Sequence, residues 1–142
     1  MVIKKKQIGT ELIPSNLYNK IPPKFGINKL DKKILNVFKK DKRRAWIVFQ
    51  YFNDMSLNLY QSYEVLKSGG VYTIVVGDCS IKGEIFEIYK YLITFAKKIG
   101  FKNKKYFSYL IKNPYLRIPR SGKGGYVEYD RVLILKKWIF KS

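Results

Sequence analysis

The sequence predicts an α/β fold, a doubly wound sheet with an antiparallel edge arrangement packed with helices. Three observations predict it. The run Val71–Gly77 is β-branched and apolar almost throughout, as in a strand buried on both faces of a parallel sheet. Segments on either side of that run carry apolar residues at three-to-four spacing, the helical period. Two further strand-like runs near the end are separated by a stretch rich in Arg, Lys and Gly, the pattern of a long-looped hairpin.

Taken in order, residues 1–26 read as irregular, because Pro14, Pro22, Pro23 and Gly26 punctuate them. Residues 27–142 hold the folded elements, and together the two parts are expected to form one domain. Ile27, Leu30, Ile34 and Val37/Phe38 predict a helix from Asn28 to Lys40, with Asn28 able to cap it. Asp41 is placed to cap a second, longer helix, whose stripe runs Ala45, Val48, Phe52, Met55, Leu59, Ser62/Tyr63 and Leu66. Ser68-Gly69-Gly70 stops that helix in a left-handed turn. After Val71–Gly77 comes a loop, Asp78–Gly83, and then a third helix with the stripe Ile85, Ile88/Tyr89, Leu92, Phe95/Ala96 and Ile99. Glu84 and Glu87 stand near its positive end, Lys97 and Lys98 near its negative end, and Gly100 stops it. Strands follow at Tyr106–Ile111 and Val127–Trp138. Two strands joined by a helix form a parallel unit, and the last two form an antiparallel hairpin.

Charge separates this chain from an ordinary globule. Among 142 residues, 29 Lys+Arg face 10 Asp+Glu, a formal net charge of +19. Self-repulsion at that level favours a polyanionic partner, and phosphate backbones are the commonest. A competing source of the excess is codon composition, since Lys, Ile, Asn and Tyr share A/T-rich codons. The single cysteine, Cys79, excludes an internal disulfide and fits a reducing compartment. The absence of histidine removes the commonest general base and most zinc sites. No apolar run is long enough to span a membrane, and the basic start has no apolar core behind it. A cytoplasmic protein without membrane attachment is therefore expected.

Sites in doubly wound sheets lie at the carboxyl ends of the strands, which draws attention to Asp78, Ser80 and Lys82. A carboxylate there can hold a hydroxyl or an amine, or simply cap the following helix. In Asn113–Gly125, Arg117 and Arg120 can fork onto phosphate or a guanine edge, Tyr115 offers a stacking face, and Lys123 adds charge among glycines. Arg43 and Arg44 belong to a second basic run. Ser121-Gly-Lys-Gly-Gly lacks the spacing of a phosphate-binding P-loop. Asp54 reads as a solvated carboxylate, and Cys79 as an inert small residue. No metal site is expected.

The stretch YFNDMSLNLYQSYEVLKSGGVYTIVVGD from Tyr51, continued by SIKGEIFEIYKYLITFAKKIGF and by IKNPYLRIPRSGKGGYVEYDRVLILKK, resembles DNA amino-methyltransferases of the N4-cytosine and N6-adenine type. The resemblance covers roughly residues 42–137, with IGTE at Ile8 similar to the stretch that follows the family's catalytic motif. It implies a partial Rossmann-like methyltransferase sheet, made of the late strands with an antiparallel terminal hairpin. In it Val71–Gly77 is the fifth of seven strands. It also implies that Asp78–Lys82 and the Arg117–Lys123 loop line the target-base side of a cleft. Two departures stand out. The [DNS]-P-P-[YFW] tetrapeptide that holds a flipped base is missing, Ile21-Pro22-Pro23-Lys24 having neither its polar nor its aromatic residue. The glycine-rich F-x-G-x-G cofactor loop is missing too. The resemblance thus implies the carboxyl-terminal part or subunit of an enzyme that methylates an exocyclic amine of cytosine or adenine. It would be inactive alone and would bind S-adenosylmethionine only when a complementary half completes it. Its expected partners are DNA and either that half or a second copy of itself. A non-catalytic nucleic-acid-binding protein derived from the same fold is the alternative, and an RNA methyltransferase relative a third.

Overall fold

The computed structural model describes residues 7–110 and 129–138. The chain enters through a short 3-10 turn at Ser15–Leu17 and an extended stretch that is pinned at several points. The Trp46 indole donates to the Lys20 carbonyl (2.9 Å), and the amides of Phe25 and Gly26 donate to the Asp31 carboxylate (2.8 and 3.0 Å). Phe25 inserts between Phe49 and Phe95, with ring centroids 5.0 and 5.4 Å away. The proline-bearing stretch is irregular, as its sequence predicts, but it is seated on the core.

Helix α1 spans Asn28–Lys40, the predicted bounds, and buries Leu30, Ile34 and Val37 along one stripe. Asn28 is its first residue rather than its cap, which is Ile27 without a side-chain hydrogen bond. Helix α2 spans Lys42–Val65 and buries Ala45, Val48, Phe52, Met55 and Leu59 as expected. Asp41 caps it, accepting from the Arg44 amide at 2.9 Å. The helix ends before the glycines: Leu66 is already extended, and Gly69, at φ 75°, serves a separate turn.

Strand β1 is Val71–Gly77. The next segment departs from expectation. Cys79–Ile81 (β2) and Glu84–Phe86 (β3) pair antiparallel around Lys82-Gly83, so 78–83 is not a loop leading into a helix. Lys82 and Gly83 have φ of 52° and 84°, the two left-handed positions of a type I′ hairpin turn. Helix α3 therefore starts at Ile88, with Glu87 as its cap, and runs to Ile99. Gly100, at φ 122°, ends it as predicted, with a geometry that a side chain would strain. The hairpin lies across α1. Lys40 donates to the Lys82 carbonyl (2.9 Å), Asn36 to Glu84 (3.1 Å), and Lys33 to the Ile85 carbonyl.

Strands β4 (Lys102–Leu110) and β5 (Tyr129–Lys136) form the terminal antiparallel hairpin, and β5 inserts between β4 and β1. Because β1 and β4 are each antiparallel to β5, they run parallel to one another across it. The helices cover one face of this sheet. Ile74, Leu133 and Leu135 join Phe52, Leu59, Leu92 and Phe95 in the core. The expectation that β1 is buried on both faces is corrected here. Tyr72, Ile74 and Val76 face the helices, while Val71 and Val75 stay 43% and 55% exposed. No described residue pairs with the outer edge of β1.

Candidate functional site

A cleft of about 310 Å³ opens at the carboxyl end of β1, between that end, the β2–β3 hairpin and the first half of α2. Gly77, Cys79 and Ile81 line one side, Tyr51 and Phe52 the other, and Phe86 closes it. Only two of these groups can ionise, and both are held neutral. Burial, then the Asp78 charge, pushes the Cys79 thiol up to about 11. Burial, with Cys79 beside it, raises the Tyr51 hydroxyl above its ordinary value. This cleft suits a planar or apolar group and offers no general acid or base near neutral pH.

Strand alternation explains where the predicted residues go. Positions 77, 79 and 81 line the cleft, whereas Asp78, Ser80 and Lys82 alternate with them and are not among its lining. Asp78 meets Arg131 of β5, with Nη2 to Oδ2 at 3.4 Å and about a quarter of each side chain exposed. Among the described residues Asp78 Oδ1 and Arg131 Nε are buried without a partner, which leaves the pair one acceptor and one donor to spare there. The guanidinium also lies over Tyr89 (4.9 Å) and near Tyr129 (5.5 Å). Ser80 sits mid-strand opposite Ile85. Lys82 occupies the hairpin turn and pairs with Asp41 at 3.2 Å. Burial pushes the Asp41 carboxyl up, but the Arg44 amide and the Lys82 ammonium outweigh it and hold the group below its ordinary value.

The basic run at the start of α2 is partly occupied. Arg43 donates to the Glu11 carbonyl (2.9 Å), and both Arg43 and Arg44 contact the Glu11 carboxylate, at 3.5 and 3.3 Å. They anchor the entering chain while keeping exposed surface. Tyr115, Arg117, Arg120 and Lys123 lie outside the described residues. Asp54 accepts from Gln50 at 2.7 Å, a helix-surface contact. Among the described residues no cluster of acidic or cysteine side chains could hold a metal ion, and no helix is long and apolar enough to cross a membrane. Arg131 and Tyr51 are the residues that sequence reasoning passed over. The available signal for Arg131 was an arginine directly preceding the apolar run Val132–Leu135 of its strand.

No family model and no curated protein matches this sequence. Among solved structures, the fold matches a candidate DNA modification methylase of Thermus thermophilus. Its selenomethionine derivative aligns at TM-score 0.50 and 21% identity, over 65% of this chain and 39% of that one. Its complex with S-adenosyl-L-methionine aligns at TM-score 0.50 and 20% identity, over 69% and 41%. The fold is shared. This chain spans about two fifths of the length of that protein.

Proposed function

We propose that this chain supplies the late strands of an S-adenosylmethionine-dependent DNA amino-methyltransferase, acting on an exocyclic amine of cytosine or adenine together with a complementary polypeptide segment. The observation that carries this reading is the strand order β1-β5-β4, with an antiparallel terminal hairpin. It falls on the same elements whose sequence resembles the family. The Thermus thermophilus structure supports it, being described as a candidate DNA modification methylase and known in complex with S-adenosyl-L-methionine.

The described residues do not by themselves fit that cofactor. The cleft beside β1 is neutral and largely apolar, with no carboxylate among its lining for ribose hydroxyls, and the sequence has no F-x-G-x-G loop. The complementary segment would hold the cofactor and the catalytic tetrapeptide. It would add its own strands along the unpaired edge of β1. Asp78, Ser80 and Lys82 would border the target-base side, with Asp78 anchored by Arg131. Tyr115, Arg117, Arg120 and Lys123, helped by Arg43 and Arg44, would contact DNA. The net charge of +19 supports that partner.

Methyl transfer is the test. The purified chain alone is expected to show neither cofactor binding by calorimetry nor transfer of labelled methyl to DNA. Both should appear when a polypeptide carrying the glycine-rich loop and the tetrapeptide is added. Cofactor binding or methyl transfer by the chain alone would overturn the division of labour. DNA binding that no complementary polypeptide converts to methyl transfer would favour the second reading, a non-catalytic nucleic-acid-binding protein. The poor fit of the cleft to the cofactor is the observation behind that second reading.

A further inference from the structure

The sheet face turned away from the helices has a chemistry of its own. On β4, Lys105, Phe107 and Tyr109 alternate onto it, opposite Ile134, Val132 and Asp130 of β5. Val132 is only 8% exposed yet does not belong to the helix-side core, because Phe107 and Val75 flank it on the other face. The two β4 rings remain 45% and 46% exposed. Two residues apart on one strand, they stand roughly 6.6 Å from each other. That is wide enough for each ring to take its own unstacked base.

The charge on this face is mostly positive among the described residues. Lys102, Lys105 and Lys136 occupy it by register, and the opposing acid is Asp130, whose carboxylate already accepts the Tyr109 hydroxyl at 3.0 Å. A protein partner is the usual occupant of an uncovered apolar sheet face, but the centres of protein interfaces are depleted in lysine. Paired aromatics over an aliphatic floor, with ammonium groups at the margin and a chain charge of +19, fit a polyanion with exposed bases.

We propose that this face is a binding platform for single-stranded nucleic acid. Phe107 and Tyr109 stack on successive bases, Val132 and Ile134 form the floor, and Lys105, Lys102 and Lys136 meet the phosphates. Bases paired inside a duplex keep their faces covered, so the platform discriminates by strandedness more than by sequence. This role is separate from the methyltransferase reading. The platform needs only the open face and its charge, and it centres on β4, at the opposite side of the sheet from the free edge of β1.

Fluorescence anisotropy on the full chain tests it, with a labelled oligothymidylate of about twelve nucleotides and a duplex of equal length. Phe107→Ala/Tyr109→Ala should weaken single-strand binding at least about tenfold and duplex binding less than about threefold, while Tyr109→Phe keeps both. Phe107→Leu/Tyr109→Leu retains apolar volume without an aromatic face. It should show the same selective loss even if the alanine pair folds poorly. Lys105→Ala should lower the salt slope for the single strand by about 0.7. Unchanged single-strand affinity in the leucine pair, or equal losses on both nucleic acids, would overturn the proposal. So would a concentration-dependent dimer that the leucine pair dissolves, which would assign the face to a second copy of the chain.

Discussion

The Asp78–Arg131 pair permits a quantitative prediction, because its surroundings place it between two well-separated limits. Exposed ion pairs contribute about 0–1 kcal/mol, whereas stripping one partner from a fully buried pair costs about 3–5 kcal/mol. Here the contact is long, 3.4 Å, and the side chains are 23% and 27% exposed. Water therefore screens it in part, and a coupling energy near ~1 kcal/mol is expected. Asp78→Ala should cost about 1–2 kcal/mol, since it leaves the guanidinium supported mainly by the Tyr89 ring at 4.9 Å. Arg131→Ala should cost more, because it also removes the side chain's packing against Tyr89 and Tyr129. Urea unfolding of the two single variants and the double variant gives the coupling as the departure from additivity. The Arg43–Glu11 contact, 43% and 56% exposed, is the internal control and should couple by less than about 0.5 kcal/mol. Salt should weaken the control more than the sheet pair. Equal coupling in the two cycles, with equal salt sensitivity, would mean that Asp78 is an ordinary surface carboxylate. The placement of Arg131 as its anchor would then fail.

Three further outcomes follow from the same geometry. Asp41→Ala should cost about 1 kcal/mol in thermal or urea unfolding through loss of the α2 cap. Because the folded-state pKa of Asp41 is depressed, its contribution is complete above the ordinary carboxylate range and drains away as pH falls below about 4. An Asp41→Ala deficit that grows below that pH would contradict the assignment. Cys79, raised to about 11, should resist iodoacetamide at about pH 8 in the folded chain and react once urea unfolds it, as mass spectrometry would read. Light scattering should show association that grows with concentration and that the Phe107→Leu/Tyr109→Leu pair leaves unchanged; a monomer at ~100 µM that binds no apolar dye would mean the β1 edge is covered internally.

Helices were the most legible elements, because each buries one clean stripe and its ends carry their own chemistry. The bounds of α1, the Asp41 cap and the Gly100 stop could all be read from local sequence. Residues 79–86 could not, because two periodicities overlap there. Ile85, Ile88 and Leu92 fall at helical spacing, yet the Lys82-Gly83 turn reverses the chain first. Lysine is a poor resident of a left-handed position, so the turn lacked its usual Asn-Gly signature. The short alternations Cys79-Ser80-Ile81 and Glu84-Ile85-Phe86 around a glycine were the signal available. That one hairpin also decides the site. It puts the sequence on strand alternation after Gly77, which gives the cleft to residues 77, 79 and 81 and sends Asp78 toward Arg131.

The hydropathy of β1 and its observed exposure differ for a reason that reaches beyond prediction. A strand apolar at successive positions expects cover on both faces, and the described residues cover one. The two outer strands of the sheet are also built differently. β4 carries Lys102 and Lys105 and a register break between Asn103 and Lys105, features that discourage a neighbouring chain from pairing. β1 has neither lysine, proline nor bulge along Val71–Gly77, and its pairing with β5 is regular over all seven residues. One edge is thus protected against strand addition and the other is suited to it. The same asymmetry separates two interactions that a +19 chain could otherwise confuse. The proposed strand addition falls at β1, where the groups are apolar and uncharged. The proposed nucleic-acid platform falls at β4, where lysines stand beside open aromatic rings.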